Sequence, residues 1–395
     1  MMTNTGALQG THILDLSRVL SGPYCTQILA DHGAEVIKVE PPDGDETRAW
    51  GPPFNGDVAA YYQGVNRNKQ GIALDLSTSE GQDSLLTLVA HADVLVENFK
   101  SGTMDRWSLG YKALSARFPR LVYCSISGFG ADGPLGGLPG YDAAIQAMTG
   151  IMSINGDAAG QATRVGIPII DMVTGLNATI GILLALQERE RSGKGQLIDL
   201  ALFDCGLSIL HPHTANFFAS GRVPARTGNS HPNIAPYDIV QTRTTPVFLA
   251  VGNDRQFVRL CEVLNAPDVA ANPQYRTNRD RSENRDALTA CLAALMAEHD
   301  GRQLSGTLMN AGVPCSSVLD IQEAVQHPHA RHRRMLVDIN NYRGIASPIK
   351  LDRTPATYRS EPPRLGQHQV APKFTDKADS TYPNRNFPGN AASQN

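Results

Sequence analysis

The chain has 395 residues, 41% of them hydrophobic and 18% charged, with 36 glycines, 25 prolines and a net charge of −3. That length exceeds what one hydrophobic core usually holds, so two domains are expected. The composition excludes a fibrous or disordered chain, and the weakly negative balance excludes the strong positive field of a bulk nucleic-acid binder. Cys25, Cys124, Cys205, Cys261, Cys291 and Cys315 lie far apart without CxxC pairs, which reads as buried thiols in a reducing compartment rather than a zinc or redox site. The opening MMTNTGALQG lacks the features of a secretion signal or transit peptide. The longest purely apolar run, IGILLAL at 180–186, is too short to cross a bilayer. A cytoplasmic protein with no membrane or nucleic-acid partner is expected.

In chain order, HILDLS (12–17) and AEVIKVE (34–40) are short β-branched runs flanking PYCTQILADHG, which begins with Pro and ends with Gly as a helix does. The β-α-β pattern recurs with GIALDLS (71–77), a helix from Ser79 to His91, ADVLVEN (92–98) and RLVYCSIS (120–127). A long helix follows Asp171, then the strand QLIDLAL (196–202). This predicts a doubly wound, Rossmann-like parallel sheet with ligands at the carboxyl ends of its strands. Residues 1–210 form the large domain. Residues 211–236, rich in Pro, Gly, Ser, Asn and His, read as a linker and active-site loop. A smaller α/β domain spans 237–336, with strand PVFLAVG (246–252), a helix around QFVRLCEVL and the segment ENRDALTACLAALMAEH. Residues 337–395 return to the large domain, and the polar tail after Pro372 reads as a partly ordered strap.

Three constellations could carry chemistry. GFGADG (128–133) satisfies GxGxxG after a strand, but Pro134, Gly136, Gly137, Pro139 and Gly140 forbid the helix that a nucleotide fingerprint must open, so a Gly-rich loop over a site is expected. Asp171 follows Pro168 and two isoleucines at the mouth of an apolar helix. On sequence physics it reads first as an N-cap that would bond first-turn amides, a place compatible with a reactive carboxylate beside the positive helix end. Arg18, Lys38, Arg67, Lys69, Lys100 and Arg106 lie near strand ends, where a phosphate-rich ligand would give several a common purpose. HPHARHRR (327–334) has three histidines without acidic or Cys partners nearby and reads as a solvated basic face, not a metal site.

The segments LDLSRVLSGPYCTQILADHGAEVIKVEPPDGD, NRNKQGIALDL, ADVLVENFKSGTMDRWSLGY, SISGFGADGP, GYDAA, the Asp171 helix, AGVPCSSV and PPRLGQH, in this order, resemble the family III CoA-transferases. That family includes formyl-CoA and carnitine CoA-transferases and is related to the 2-methylacyl-CoA racemases. The resemblance implies an interlocked homodimer in which Asp171 is the catalytic nucleophile. It also implies CoA held by Val19, Leu20, Ser21, Lys69, Asn98, Phe99 and Arg106, with CoA as a substrate and no further cofactor. Where formyl-CoA transferase has consecutive glycines that shield its intermediates, this chain has RTGNSHPNIAPYD, so shielding falls to that loop or to GPLGGLPG. Racemases of the family place a His before the Asp where this chain has Tyr141-Asp142, and a Glu where it has AVGNDRQF. A racemase is therefore the alternative, and a non-catalytic CoA-binding protein a remoter one. The GNSHPNIAPYD loop resembles that of relatives acting on diacids, which implies succinyl-CoA as donor and a short dicarboxylic acid as acceptor. Arg48, Arg164 and Arg226 with His231 are the candidate grips for the second carboxylate, and Tyr141 and Asp142 complete the substrate side.

Overall fold

A computed structural model describes residues 6–369 and 374; the polar tail after Pro372 lies, Phe374 aside, outside the described residues. The chain divides into two compact units. The first takes residues up to 145, 168–208 and from 334 onward; the second takes 146–167 and 209–333.

The first unit is built on six parallel strands: β1 (His12–Asp15), β2 (Glu35–Glu40), β3 (Lys69–Ala73), β4 (Val94–Glu97), β5 (Val122–Ser127) and β6 (Leu197–Ala201). Their order is β3-β2-β1-β4-β5-β6. Both β1 and β4 are buried along their whole length, because helices cover both faces of a parallel sheet and leave no solvent side to alternate with. Helix α1 (Ser21–Asp31) connects β1 to β2, and α2 (Ser79–Val89) leads from β3 to β4. The 24-residue α3 (Ile169–Ser192) precedes β6 and ends on Gly193 in the left-handed conformation. Strand order reverses between β1, which continues toward β2, and its neighbour β4. This is the switch point of a doubly wound sheet, where the crevice for ligands opens.

Two glycines permit close approaches. At Gly175 of α3 a Cβ would lie 2.7 Å from the carbonyl oxygen of Ser21, so α1 and α3 meet backbone to side-chainless backbone. At Gly71 it would lie 2.9 Å from Pro363. There the returning chain covers the outer edge of β3. The His368 amide donates to the Gly71 carbonyl at 2.9 Å, the Gly71 amide donates to His368 Nδ1 at 3.0 Å, and the Gln369 side chain bonds both backbone groups of Ala73.

β2 departs from a plain apolar strand. Lys38 and Glu40 are buried in it. Lys38 Nζ donates to the Ser17 carbonyl at 2.8 Å and pairs with Asp45 at 3.3 Å. Lys38 is thus a structural cation rather than a phosphate ligand, and Arg67, closed on Asp31, is another.

The second unit carries three antiparallel strands, β7 (Tyr237–Val240), β8 (Val247–Ala250) and β9 (Cys315–Ser317), in the order β9-β8-β7. Helices α4 (Asp254–Val263), α5 (Arg285–Met296) and α6 (Gly301–Asn310) bury Phe257, Leu260, Leu288, Leu292, Met296 and Leu308 around it. Residues 146–167, read from sequence as part of the large domain, group here. The Gly228 amide donates to the Gly156 carbonyl, and Arg226 donates to the carbonyls of Asp157 and Gly160. The expected linker 211–236 contains a helix, His213–Ser220, that ends on Gly221. None of its residues is buried, so no apolar period marked it. The histidines of 327–332 sit on a short exposed helix.

Candidate active site

The turn after β1 is held in a conformation its sequence does not favour. Val19 has φ +67°, a left-handed geometry costing a β-branched residue about 1–3 kcal/mol, which persists only where the surroundings enforce it. They do so from three sides. Asn98, just after β4, accepts from the Arg18 amide at 2.8 Å and donates to the Arg18 carbonyl at 2.7 Å. Asp45 accepts from the Val19 amide at 3.3 Å. Beneath the turn, Asp15 pairs with Lys69 at 2.9 Å and accepts from Ser17 and Thr26. Burial alone would raise the Asp15 carboxyl, but Lys69, Lys38 and the two hydroxyls outweigh it and hold it at about 2.

The turn delivers Ser21 to Asp171. Ser21 Oγ donates to Asp171 Oδ1 at 2.7 Å. Asp171 is 8% exposed and stands in the first turn of α3, whose N-cap is Pro168 and has no side-chain cap bond. The N-cap reading of Asp171 is therefore corrected: its carboxylate bonds no first-turn amide. Asp142 does that work from 28 residues upstream, its Oδ2 accepting from the Ile170 amide at 2.8 Å and the Asp171 amide at 3.2 Å. Burial, with a smaller push from the Asp142 charge and against the Ser21 hydrogen bond, raises the Asp171 carboxyl to about 6. A carboxylate so desolvated, yet free of structural duty, is available for chemistry.

Asp171 opens onto a cavity of about 210 Å³ at the switch point, lined by Arg18, Val19, Ser21, Asn98, Phe99, Tyr141 and the Gly-rich loop, with exposed Glu46 and Lys100 beside them. GFGADG opens no helix; residues 128–140 form a loop whose Leu138, Pro139 and Gly140 wall the cavity. Leu20 is buried immediately behind Val19. Of the residues singled out in sequence, Arg18, Val19, Ser21, Asn98, Phe99, Lys100, Tyr141 and Asp171 are thus brought together.

Others are not. Lys69 is buried, with its ammonium taken by Asp15, Asn66 and the Pro23 carbonyl, so it supports the turn from below instead of meeting a ligand. Arg106 is exposed and donates to Thr103 within its own short helix. Arg48 is closed bidentately on Glu40 and also reaches Tyr62 and the Pro363 carbonyl, which leaves no fork for a substrate. Asp142 caps α3. In the second unit, Arg164 donates to the carbonyls of Val165 and Gly166, Arg226 ties its loop to the carbonyls of Asp157 and Gly160, and His231 Nδ1 accepts from the Asn233 amide. Sequence reasoning did not single out Tyr61, a partly exposed ring packed against Trp50, whose hydroxyl is pushed up to about 12 by burial and then by the charges of Asp171, Asp142 and Asp45.

The profile of CoA-transferase family III matches residues 8–369. The succinate–glutarate CoA-transferase of Agrobacterium fabrum is 40% identical over 375 residues, covering 92% of this chain and 94% of that protein. The acetyl-CoA:oxalate CoA-transferase of Acetobacter aceti is 41% identical over 348 residues, covering 88% and 89%. Among solved structures, a CaiB/BaiF family protein from Brucella suis superposes with a TM-score of 0.84 at 40% identity, covering 92% of this chain and 97% of its own. With a switch-point cavity and a buried carboxylate at its wall, this chain belongs to CoA-transferase family III and is a CoA-transferase.

Proposed function

We propose that the enzyme moves CoA from succinyl-CoA to a short dicarboxylic acid, with Asp171 as covalent carrier. One observation carries the reading: a carboxylate that is buried, raised toward neutrality and oriented by Ser21 stands at the cavity wall without capping its own helix. Asp171 Oδ attacks the thioester carbonyl, the C–S bond breaks, and a mixed anhydride and CoA thiolate form. The thiolate attacks the Asp171 acyl carbon, releasing the donor acid and leaving an aspartyl-CoA thioester. The acceptor carboxylate then repeats both steps in reverse order. Acyl derivatives of comparable reactivity keep the exchange near constant energy, and the sequence uses no metal or redox cofactor. Partial desolvation sharpens the nucleophile, and the 128–140 loop keeps water from the intermediates.

The diacid preference is supported by the succinate–glutarate activity of the Agrobacterium relative and by a succinyl-CoA:mesaconate CoA-transferase of Haloarcula hispanica, 39% identical over 381 residues. We place the enzyme in the cytoplasm, where its six free thiols stay reduced. It acts as an interlocked homodimer. α3 is apolar enough for a membrane span, but one face is buried within the first unit, and the other exposes Leu176, Ile180, Leu183 and Leu184. A second copy of the chain covers that stripe.

The test is incubation with succinyl-CoA and hydroxylamine followed by mass spectrometry. A hydroxamate on the Asp171 peptide, with activity lost in Asp171→Ala, is the expected result. Full activity in that variant would end the proposal.

A further inference from the structure

A diacid needs a cation inside the cavity for its far carboxylate, and Arg48 is not free to be that cation. Arg18 is. It lines the cavity with Asp171, its Nε is buried without a hydrogen-bond partner, and no carboxylate pairs with it among the described residues. Its backbone is clamped at both polar atoms by Asn98, and its guanidinium lies 5.4 Å from the centre of the Phe99 ring. The position is thus fixed while the donating edge is left unmatched. Ser21, which holds Asp171, stands three positions further on, a reach of at most about 11 Å along the chain. A four- or five-carbon diacid joined to Asp171 and a long arginine side chain together cover that span.

We infer that Arg18 reads the remote carboxylate of the acyl group and sets the preference for diacids over monoacids; this rests on the CoA-transfer reading above. The chemistry of the fork favours it. The two terminal nitrogens, which bond no other residue among those described, present paired donors that match the two oxygens of a carboxylate, while Nε stays buried behind them. The phosphates of CoA remain hydrated, and the exposed Lys100 at the same cavity suits them better as a point charge.

The experiment compares kcat/KM for glutarate and for butyrate, with succinyl-CoA as donor, in the wild type, Arg18→Gln and Arg18→Lys. Loss of a charge-assisted pair is expected to lower the glutarate-to-butyrate ratio by about 10- to 100-fold in Arg18→Gln. Arg18→Lys keeps the charge without the fork and is expected to fall between, which also guards against a folding defect in the first variant. A ratio unchanged in both variants overturns the assignment. So does an equal loss on both acids together with a raised KM for succinyl-CoA, which would give Arg18 to CoA. A wild type that transfers CoA to neither acid would instead remove the reading of the site, and this assignment with it.

Discussion

Asp171→Asn is expected to make the protein more stable at neutral pH while abolishing turnover. Burial pushes the carboxyl to about 6 in the folded chain, above the ordinary aspartate value of 3.8, so the folded state binds its proton more tightly than the unfolded state does. The sign follows from linkage. Below the unfolded value both states are protonated and there is no penalty. Between the two values the penalty for ionising the buried group grows, and above about 6 it is constant at roughly two pKa units, or about 3 kcal/mol. Asparagine keeps an acceptor for the Ser21 hydroxyl but adds a buried amide that must find a partner, which offsets about 1 kcal/mol. The net gain is about 1–3 kcal/mol at pH 8 and near zero at pH 4. Urea unfolding of both proteins at equal concentration across that range measures it. An N-cap would behave differently, because asparagine caps a helix about as well as aspartate and the substitution would leave stability nearly unchanged at every pH. A variant less stable than wild type at pH 8, or a stability difference that does not change between pH 4 and 7, would refute the reasoning.

Turnover should have an acid limb near pH 6, falling about tenfold per unit below it as Asp171 protonates. Ser21→Ala removes the hydrogen bond that lowers the Asp171 value and should move that limb to higher pH. Asp142→Asn removes a like charge and should move it lower while keeping a cap acceptor. Asp142→Ala also loses the cap of α3 and should cost about 1–2 kcal/mol by thermal unfolding. Lys69→Met leaves Asp15 buried without its paired ammonium, with only Lys38 to offset its charge, and should cost about 3–5 kcal/mol in urea titration, part of which an added Asp15→Asn restores.

The sheet was legible because buried parallel strands must be apolar runs, and β1, β4 and β5 read that way in sequence. The end of β3 was not. GIALDLS continues its apolar pattern to Leu76, but pairing stops at Ala73, because Leu76 packs into the core from the turn that leads to α2. Asp171 was found at the correct helix with the wrong structural alternative beside it. Local spacing suggests that an acid at a helix mouth caps it, whereas the cap comes from Asp142, a distance no local pattern spans. The cations show the same limit. Arg48 and Arg18 look alike in a sequence, and only the fold shows that Glu40 occupies one and that no carboxylate among the described residues occupies the other. The conformation of Val19 could not be read either, since nothing in an SRVLSG stretch requires a positive φ.

The covered edge of β3 bears on how the chain is made. The groups that close it, on His368 and Gln369, follow it by 296 residues, so during synthesis at about 5–20 residues per second the edge stands open for about 15–60 s. For that time the nascent sheet presents unpaired amides and carbonyls beside apolar strands, the condition under which edges recruit one another. The sheet is therefore expected to need chaperone protection until the stretch around His368 and Gln369 has emerged. A ribosome stalled short of residue 362 leaves a first unit whose strands are all present and whose margin is unsealed.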